Sequence, residues 1–263
     1  MNTSLLYQTP GYIIVSLLFV MMLLFNRIGF KIQQRQTTKN DESVSAGLGP
    51  VEGSLLGLLA LLLSFTFGMS ASRFDERRSV IVQEANDIGT AILRCDLYTD
   101  IDRKELREDF KLYVDARVAY YNAGNSKQKN SDAIKESEKQ SGRIWNKVMM
   151  LSQDKENTLR SQQMIPAVNS MIDIVTTGQA ARYATVPDSI LWLLFVLILT
   201  ASLIVGYSNS NKKINHVIVS GFALMTVLTV YLILDLDRPR RGIITTDASV
   251  QKIIELKNLF QNE

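Results

Sequence analysis

The chain of 263 residues carries 29 Lys and Arg, 26 Asp and Glu, one His and one Cys. One histidine and one cysteine cannot supply the ligands of a zinc site, and a single cysteine cannot close a disulfide within the chain. The net charge of +3 is too small for a nucleic-acid-binding protein, and the sequence has no glycine-rich phosphate loop. We therefore expect a protein that is not an enzyme and that needs no metal or cofactor.

The average composition hides a strong segregation of charge. The mean hydropathy is only +0.06, yet residues 11–25, 53–69, 189–210 and 214–234 contain no Asp, Glu, Lys or Arg. All charged residues therefore fall in the rest of the chain, which is strongly hydrophilic. Because a charge at the centre of a bilayer costs several kcal/mol, this segregation is typical of a membrane protein with a sizeable soluble part.

The four uncharged windows predict four transmembrane helices, since a hydrocarbon core of roughly 30 Å needs about 20 helical residues. We expect these spans at Leu5–Asn26, Gly53–Ser70, Ser189–Tyr207 and Ile214–Leu236. The first window lacks the basic segment that precedes a cleaved signal peptide, so we interpret it as a retained span. An even number of spans places both termini on the same side of the membrane.

A helical soluble domain is predicted between the second and third spans. We divide the chain into residues 1–70 (spans one and two with a polar loop), 71–186 (the soluble domain), 187–236 (spans three and four) and 237–263 (a C-terminal tail). Apolar residues follow the second span at alternating spacings of four and three: Ile81, Ala85, Ile88, Ile92 and Cys95. This spacing predicts one helix from Gly53 to about Tyr98. The predicted fold class is all-α.

Three further helices are expected in the soluble domain. They are Arg103–Asn122, which follows an N-cap at Asp100, a helix that begins at Ser131, and Lys155–Tyr183. Pro166 is expected to kink the last of them because proline removes a backbone hydrogen bond. Their apolar stripes indicate the core of a helical bundle.

The second span carries small residues at helical spacing. They are Gly53, Gly57, Ala60, Ser64 and Gly68. Small residues let helix backbones approach closely in lipid, so the stripe indicates helix packing, most simply within one subunit. Leu61 and Phe65, one position round the helix, suggest a second interpretation. If several copies of this helix surround an axis, the two side chains form an apolar constriction of the kind that gates channels.

Charged residues follow the ends of the second and fourth spans. Arg73, Arg77 and Arg78 are either an interfacial anchor or a basic ring at a pore mouth, which would attract anions. Asp235, Asp237 and Arg238 lie at the end of the fourth span. An acidic group near the hydrocarbon boundary needs a partner, so we expect Asp235 or Asp237 to pair with the arginine cluster as a structural lock.

The distribution of Lys and Arg near the span ends bears on orientation. Eight lie on the face that carries the soluble domain and six on the opposite face. The excess of positive charge on cytoplasmic loops therefore favours a cytoplasmic domain and cytoplasmic termini.

Several segments resemble the bestrophin-like family of bacterial membrane proteins. They are LLGLLALLLSFTFG at 55–68, RFDERR at 73–78, EANDIGT at 84–90, YVDAR at 113–117 and DLDRPRRG at 235–242. The resemblance covers the chain from about residue 50 to residue 250. It implies a multi-pass protein of the bacterial inner membrane.

The chain is also distantly similar to the bestrophin chloride channels, which are pentamers whose second spans line the pore with a hydrophobic neck. This resemblance implies a neck role for Phe65 and Leu61. Gly57, one step further back, departs from the pattern because glycine cannot narrow a pore. The acidic run that binds calcium after the fourth span of animal bestrophins is absent, and only Asp235 and Asp237 lie nearby.

Two functions follow as hypotheses. The first is an oligomeric channel for small anions, a pentamer if it is bestrophin-like, with Phe65 and Leu61 at the constriction and the arginine cluster supplying a favourable field. The alternative is a membrane-anchored interaction or sensory scaffold, whose spans assemble without conducting. The expected partners are the lipid bilayer and further copies of the chain, with no nucleic acid.

Overall fold

A computed structural model describes residues 5–37, 48–209, 214–238 and 242–261. Its helices are α1 (Leu5–Gln8), α2 (Gly11–Thr37), α3 (Leu48–Arg94), α4 (Asp100–Asn122), α5 (Lys127–Ser152), α6 (Thr158–Tyr183), α7 (Asp188–Tyr207), α8 (His216–Asp237) and α9 (Asp247–Glu255). Short 3-10 turns follow at Cys95–Leu97, Lys155–Asn157 and Leu256–Phe260. No strand occurs in these ranges, so the predicted all-α fold class is confirmed.

Four helical segments are long and apolar enough to cross a membrane: Gly11–Arg35, Gly49–Leu97, Lys155–Tyr207 and His216–Asp237. Each of them overlaps one of the four predicted spans, and the protein is a multi-pass membrane protein. The first span begins at Gly11 rather than at Leu5, because Pro10 separates it from the short helix α1. Proline has no N–H to donate, so it is found at helix starts.

Helix α3 is continuous over 47 residues, or about 70 Å at 1.5 Å per residue. It contains the whole second span and carries on past Arg73 to Arg94, where the turn at Cys95–Leu97 ends it. The prediction that the second span continues as one long helix is confirmed. The chain divides into two compact units, and α3 supplies residues to both of them.

The first unit contains residues 1–74 and 185–238. In it α2 packs against α7 and α8. The contact between α2 and α7 is close enough that a Cβ atom at Gly206 would lie 2.0 Å from the Asn26 carbonyl oxygen, and one at Gly29 would lie 2.0 Å from the Leu203 carbonyl oxygen. Close packing in this unit therefore depends on two glycines that the sequence analysis did not single out.

Two hydrogen bonds support the same helix contact. The Ser202 hydroxyl donates to the Met22 carbonyl at 2.6 Å, and the Asn26 side-chain amide donates to the Ser202 carbonyl at 3.2 Å. All three residues are buried. Polar side chains that bond across transmembrane helices stabilise the contact, because lipid offers them no other partner.

The second unit contains residues 75–184 and 239–263. Its core is formed by α3 residues beyond the span together with α4, α5, α6 and α9, and includes Ile88, Ile92, Leu106, Phe110, Ile144, Met164 and Met171. Helix α9 was not predicted from the sequence. Its Ile253, and Leu256 just beyond it, are buried in this core, so part of the C-terminal segment is folded into the soluble unit.

Two predicted helix starts are wrong by a few residues. Helix α5 begins at Lys127 instead of Ser131, because the Ser126 side chain accepts a hydrogen bond from the Lys129 N–H and caps the helix one turn earlier. Helix α4 begins at Asp100, with Thr99 in the N-cap position. The predicted α6 is confirmed to within a few residues and contains Pro166.

The close approach of α2 and α7 predicts that Gly206→Ala destabilises the protein. The added Cβ would overlap the Asn26 carbonyl, so the two helices must separate, at a cost of about 1–3 kcal/mol. We expect a lower midpoint of thermal aggregation in detergent, measured by size-exclusion chromatography. Gly221→Ala in α8 is the control, since a Cβ there meets no described atom within 4 Å. A Gly206→Ala midpoint at or above that of the parent would contradict the prediction.

Candidate functional site

The transmembrane part of α3 is the least covered of the four spans. Only 17% of its most apolar stretch of 18 residues is buried inside the structure, against 28% to 39% for the corresponding stretches of the other three spans. Its buried side chains are those of Leu59, Thr66 and Ser70, which lie on one side of the helix. The side chains on the opposite side are exposed, which leaves that side to lipid or to another chain.

The predicted small-residue stripe lies on this open side. Its members are exposed: Gly53, Gly57, Ala60, Ser64 and Gly68. A Cβ atom built at Gly53, Gly57 or Gly68 meets no atom of the described residues within 4 Å. Packing within one subunit, the simpler interpretation of the stripe, is therefore not seen for these glycines. The close contacts of this unit are made by Gly29 and Gly206 instead.

Leu61 and Phe65 lie on the same open side. They follow Gly57 at intervals of four residues, and their side chains are 52% and 64% exposed. Phe67 is also exposed, but two residues from Phe65 correspond to about 160° around the helix. Phe65 and Phe67 are thus two exposed phenylalanines that point in different directions from the same helix.

The open side of α3 differs in composition from the exposed sides of the other spans. Those present large side chains, as lipid-facing surfaces do: Leu17, Val20 and Leu24 on α2, Trp192, Leu193 and Val196 on α7, and Leu224, Met225 and Leu228 on α8. The exposed surface of α3 also has large side chains, Leu58, Leu61 and Phe65 among them, but it includes five small residues at helical spacing. Small residues in transmembrane helices are typical of helix–helix contacts.

The three arginines that follow the span have different environments. Arg73 is half-buried in the first unit, and Arg78 is exposed in the second, where it pairs with Asp75 at 3.6 Å. Arg77 is buried in the second unit, and its Nη1 donates to the Ala184 carbonyl at 3.3 Å. A residue at a pore mouth is expected to face water, and Arg77 does not.

The end of α8 forms a buried polar cluster in the first unit. Asp235, Asp237 and Arg238 are all buried. The Asp237 carboxylate accepts the Val186 N–H at 2.9 Å, and Arg238 donates to the carbonyls of Thr9, at 2.6 Å, and Leu6. These bonds join the end of α8 to the start of α7 and to the segment before α2. The pairing of Asp235 or Asp237 with the arginine cluster stays a prediction.

A second polar cluster, in the soluble unit, was not predicted. Glu84 of α3 is fully buried, and its carboxylate accepts from Arg117 Nε of α4 at 2.6 Å and from the Tyr121 hydroxyl at 2.7 Å. The sequence does contain a signal for it. Glu84 lies within the apolar stripe of α3 and Arg117 within that of α4, so two opposite charges occupy core faces.

Burial and charge act together in this cluster. Burial alone would lower the pKa of Arg117, but the Glu84 carboxylate outweighs it and raises that pKa above its usual value. Burial, followed by the charge of Glu84, raises the pKa of Tyr121, which therefore remains a hydroxyl donor. Removing one partner of such a buried pair leaves an uncompensated charge, which costs about 3–5 kcal/mol.

Comparison with known families decides the classification. A family model described as the bestrophin-like domain matches residues 16–250, most of the chain. The chain belongs to the bestrophin-like family. The resemblance found from the sequence segments is confirmed, and the matched range includes most of the first span, the other three spans and the soluble helices α4 to α6.

Solved structures share the fold of this bestrophin-like protein. A point variant of a bacterial bestrophin homologue from Klebsiella pneumoniae has a TM-score of 0.66 at 11% identity, covering 93% of this chain and 99% of that one. A second variant of that homologue has a TM-score of 0.65 at 12% identity, covering 95% and 99%. Another crystal structure, of a membrane protein, has a TM-score of 0.67 at 11% identity, covering 95% and 99%. No curated protein matches the chain.

Proposed function

We propose that this bestrophin-like protein is an oligomeric channel for small anions, without enzymatic activity, in the bacterial inner membrane. In this proposal several copies of α3 surround a common axis and line the pore. One observation carries it: the open side of α3 presents a stripe of small residues whose glycines have no close neighbour among the described residues, and Leu61 and Phe65 lie beside that stripe.

Small residues and large residues have separate roles on this surface. Gly53, Gly57 and Gly68 leave room for a neighbouring backbone, which supports close contact between α3 helices of adjacent subunits. Leu61 and Phe65 would then project toward the axis as successive apolar rings. An apolar constriction gates by excluding water, so its width controls the passage of hydrated ions.

Arginines at the end of the span favour anions over cations. Arg73 and Arg78 follow the apolar segment of α3, at the point where the helix would leave the membrane. Repeated around an axis, they form a ring of positive potential that raises the local concentration of anions. Arg77 is left out of this ring because it is buried. The number of subunits, five, is proposed from the similarity to bestrophin channels alone.

We place the soluble unit and both termini in the cytoplasm, because the face with the soluble domain carries more Lys and Arg. A Ser126→Cys variant is then expected to resist a membrane-impermeant maleimide in intact cells and to react after permeabilisation. The native Cys95 is buried and gives little background. Asn209→Cys, in the loop between α7 and α8, is the opposite-face control and should react in intact cells. Labelling of Ser126→Cys but not Asn209→Cys in intact cells would reverse the orientation.

Gly57→Leu is expected to disrupt the oligomer. A leucine on the open side of α3 prevents the close approach of neighbouring helices, so the mass of the detergent-solubilised particle should fall. Native mass spectrometry measures it. Gly221→Leu is the matched control, since Gly221 is also a span glycine with no described atom near its Cβ position, but lies on α8. A monomeric parent, or an intact Gly57→Leu oligomer, would contradict the proposal.

Phe65→Ala is expected to raise chloride flux through reconstituted liposomes. Removing the ring widens the apolar constriction; a barrier lower by about 1.4 kcal/mol corresponds to roughly tenfold faster flux. Phe67→Ala, on the other side of the same helix, should leave the flux unchanged. Absence of flux from folded parent and Phe65→Ala proteins would instead favour the non-conducting scaffold. Equal effects of both alanine variants would argue against a constriction at Phe65.

A further inference from the structure

The soluble unit contains a second feature, a cleft between α3, α4 and α6 that also reaches the residue before α9. Its volume is about 50 Å³. A single water needs roughly 10–15 Å³ on the same measure, so the cleft has room for a small polyatomic ion. All of its lining residues belong to the second unit.

Three arginines line this cleft, one from each of the three long helices: Arg77, Arg117 and Arg182. None of the described lining residues is acidic. The carboxylate of Glu84, which bonds to Arg117 Nε, compensates one of the three charges. The charged side chains of the lining are therefore all positive, in a largely buried setting where electrostatic interactions are stronger than in water.

One hydrogen-bond donor of Arg117, Nη1, is not used within the described residues. The residue is only 2% exposed, and its buried Nη1 has no hydrogen-bond partner among the described residues. A buried, charged donor without an acceptor is costly, so native structures nearly always supply one. Glu84 accepts from Nε, which leaves Nη1 for a separate acceptor.

Arg182 brings a second charge to the same place. Its described hydrogen-bond partners are neutral, the Tyr120 hydroxyl at 2.7 Å and the Asn130 side-chain oxygen at 3.5 Å. The guanidinium carbons of Arg117 and Arg182 lie 4.7 and 5.3 Å from the centre of the Tyr120 ring. Two cations held on one aromatic ring repel each other, and an anion between them would relieve that repulsion.

Neutral donors complete the lining. Gln179 and Thr246 border the cleft, where one carries a side-chain amide and the other a hydroxyl. An amide and a hydroxyl can orient an anion that has several acceptor oxygens, while planar guanidinium groups match the oxygen pairs of phosphate and carboxylate.

We propose that this cleft is a binding site for a small oxyanion, held by the guanidinium groups of Arg117, Arg182 and Arg77 with Gln179 and Thr246 as neutral donors. The site lies in the soluble unit and does not depend on conduction by the spans. The chemistry selects a tetrahedral or planar oxyanion over a halide, because several donors of fixed geometry surround one small volume.

Isothermal titration calorimetry of the full-length protein in detergent, with inorganic phosphate as the probe, tests this site. We expect saturable binding of one phosphate per chain at roughly millimolar concentration or below, and much weaker binding of chloride at matched ionic strength. Absence of saturable heat with phosphate, or equal binding of chloride, would overturn the proposal. Neither result bears on chloride flux, so the oxyanion site and the channel proposal are tested independently.

Two substitutions locate the site. Arg182→Gln removes a half-buried charge, and Arg117→Lys retains the charge beside Glu84 but loses the Nη1 donor. Each is expected to weaken phosphate binding about tenfold or more, since hydrogen bonds to charged groups are strong. Arg103→Gln is the control, an arginine of α4 in a surface pair with Asp100 outside the cleft. Parent-like binding by folded Arg182→Gln protein, or equal loss in Arg103→Gln, would refute the assignment.

Discussion

The hydrocarbon core of a bilayer offers no hydrogen-bond partner to a peptide group or a charge, and this constraint organises the whole chain. Segments that cross it must be helices, since only a helix satisfies its own backbone. Charged residues are confined to the remainder, where they build a water-soluble helical unit. Helix α3 belongs to both parts, because its first half is apolar on every side while its second half is apolar on one side only.

Within lipid, burial of apolar area does not drive helices together, so contact depends on shape and on a few polar bonds. Among the described residues, Gly29 and Gly206 bring the backbones of α2 and α7 together in such a contact. The glycines of the α3 stripe, Gly53, Gly57 and Gly68, have no such partner among the described residues. A surface of that kind is suited to other copies of the same helix, and this is why the proposed pore is assigned to α3.

The soluble unit differs from the spans because charged residues lie on the helix faces that form its core and must be buried there. Glu84 and Arg117 compensate each other, and Tyr121 adds a hydrogen bond. Arg77 and Arg182 line the cleft next to them. The three arginines after the second span therefore differ in environment: Arg73 is half-buried, Arg78 is exposed, and Arg77 contributes to the interior of the soluble unit.

The sequence by itself determined the four spans, the all-α class and the long second-span helix, because charge exclusion and helical periodicity are local properties. The family followed separately, from the resemblance of sequence segments such as RFDERR at 73–78. The sequence did not distinguish which small residues pack within the chain, since Gly206 and Gly57 have similar neighbours along the sequence. It did not show that Arg77 is buried or that Glu84 meets Arg117. Those facts depend on which helices become neighbours, and only the tertiary structure brings residues 33 positions apart to within 2.6 Å.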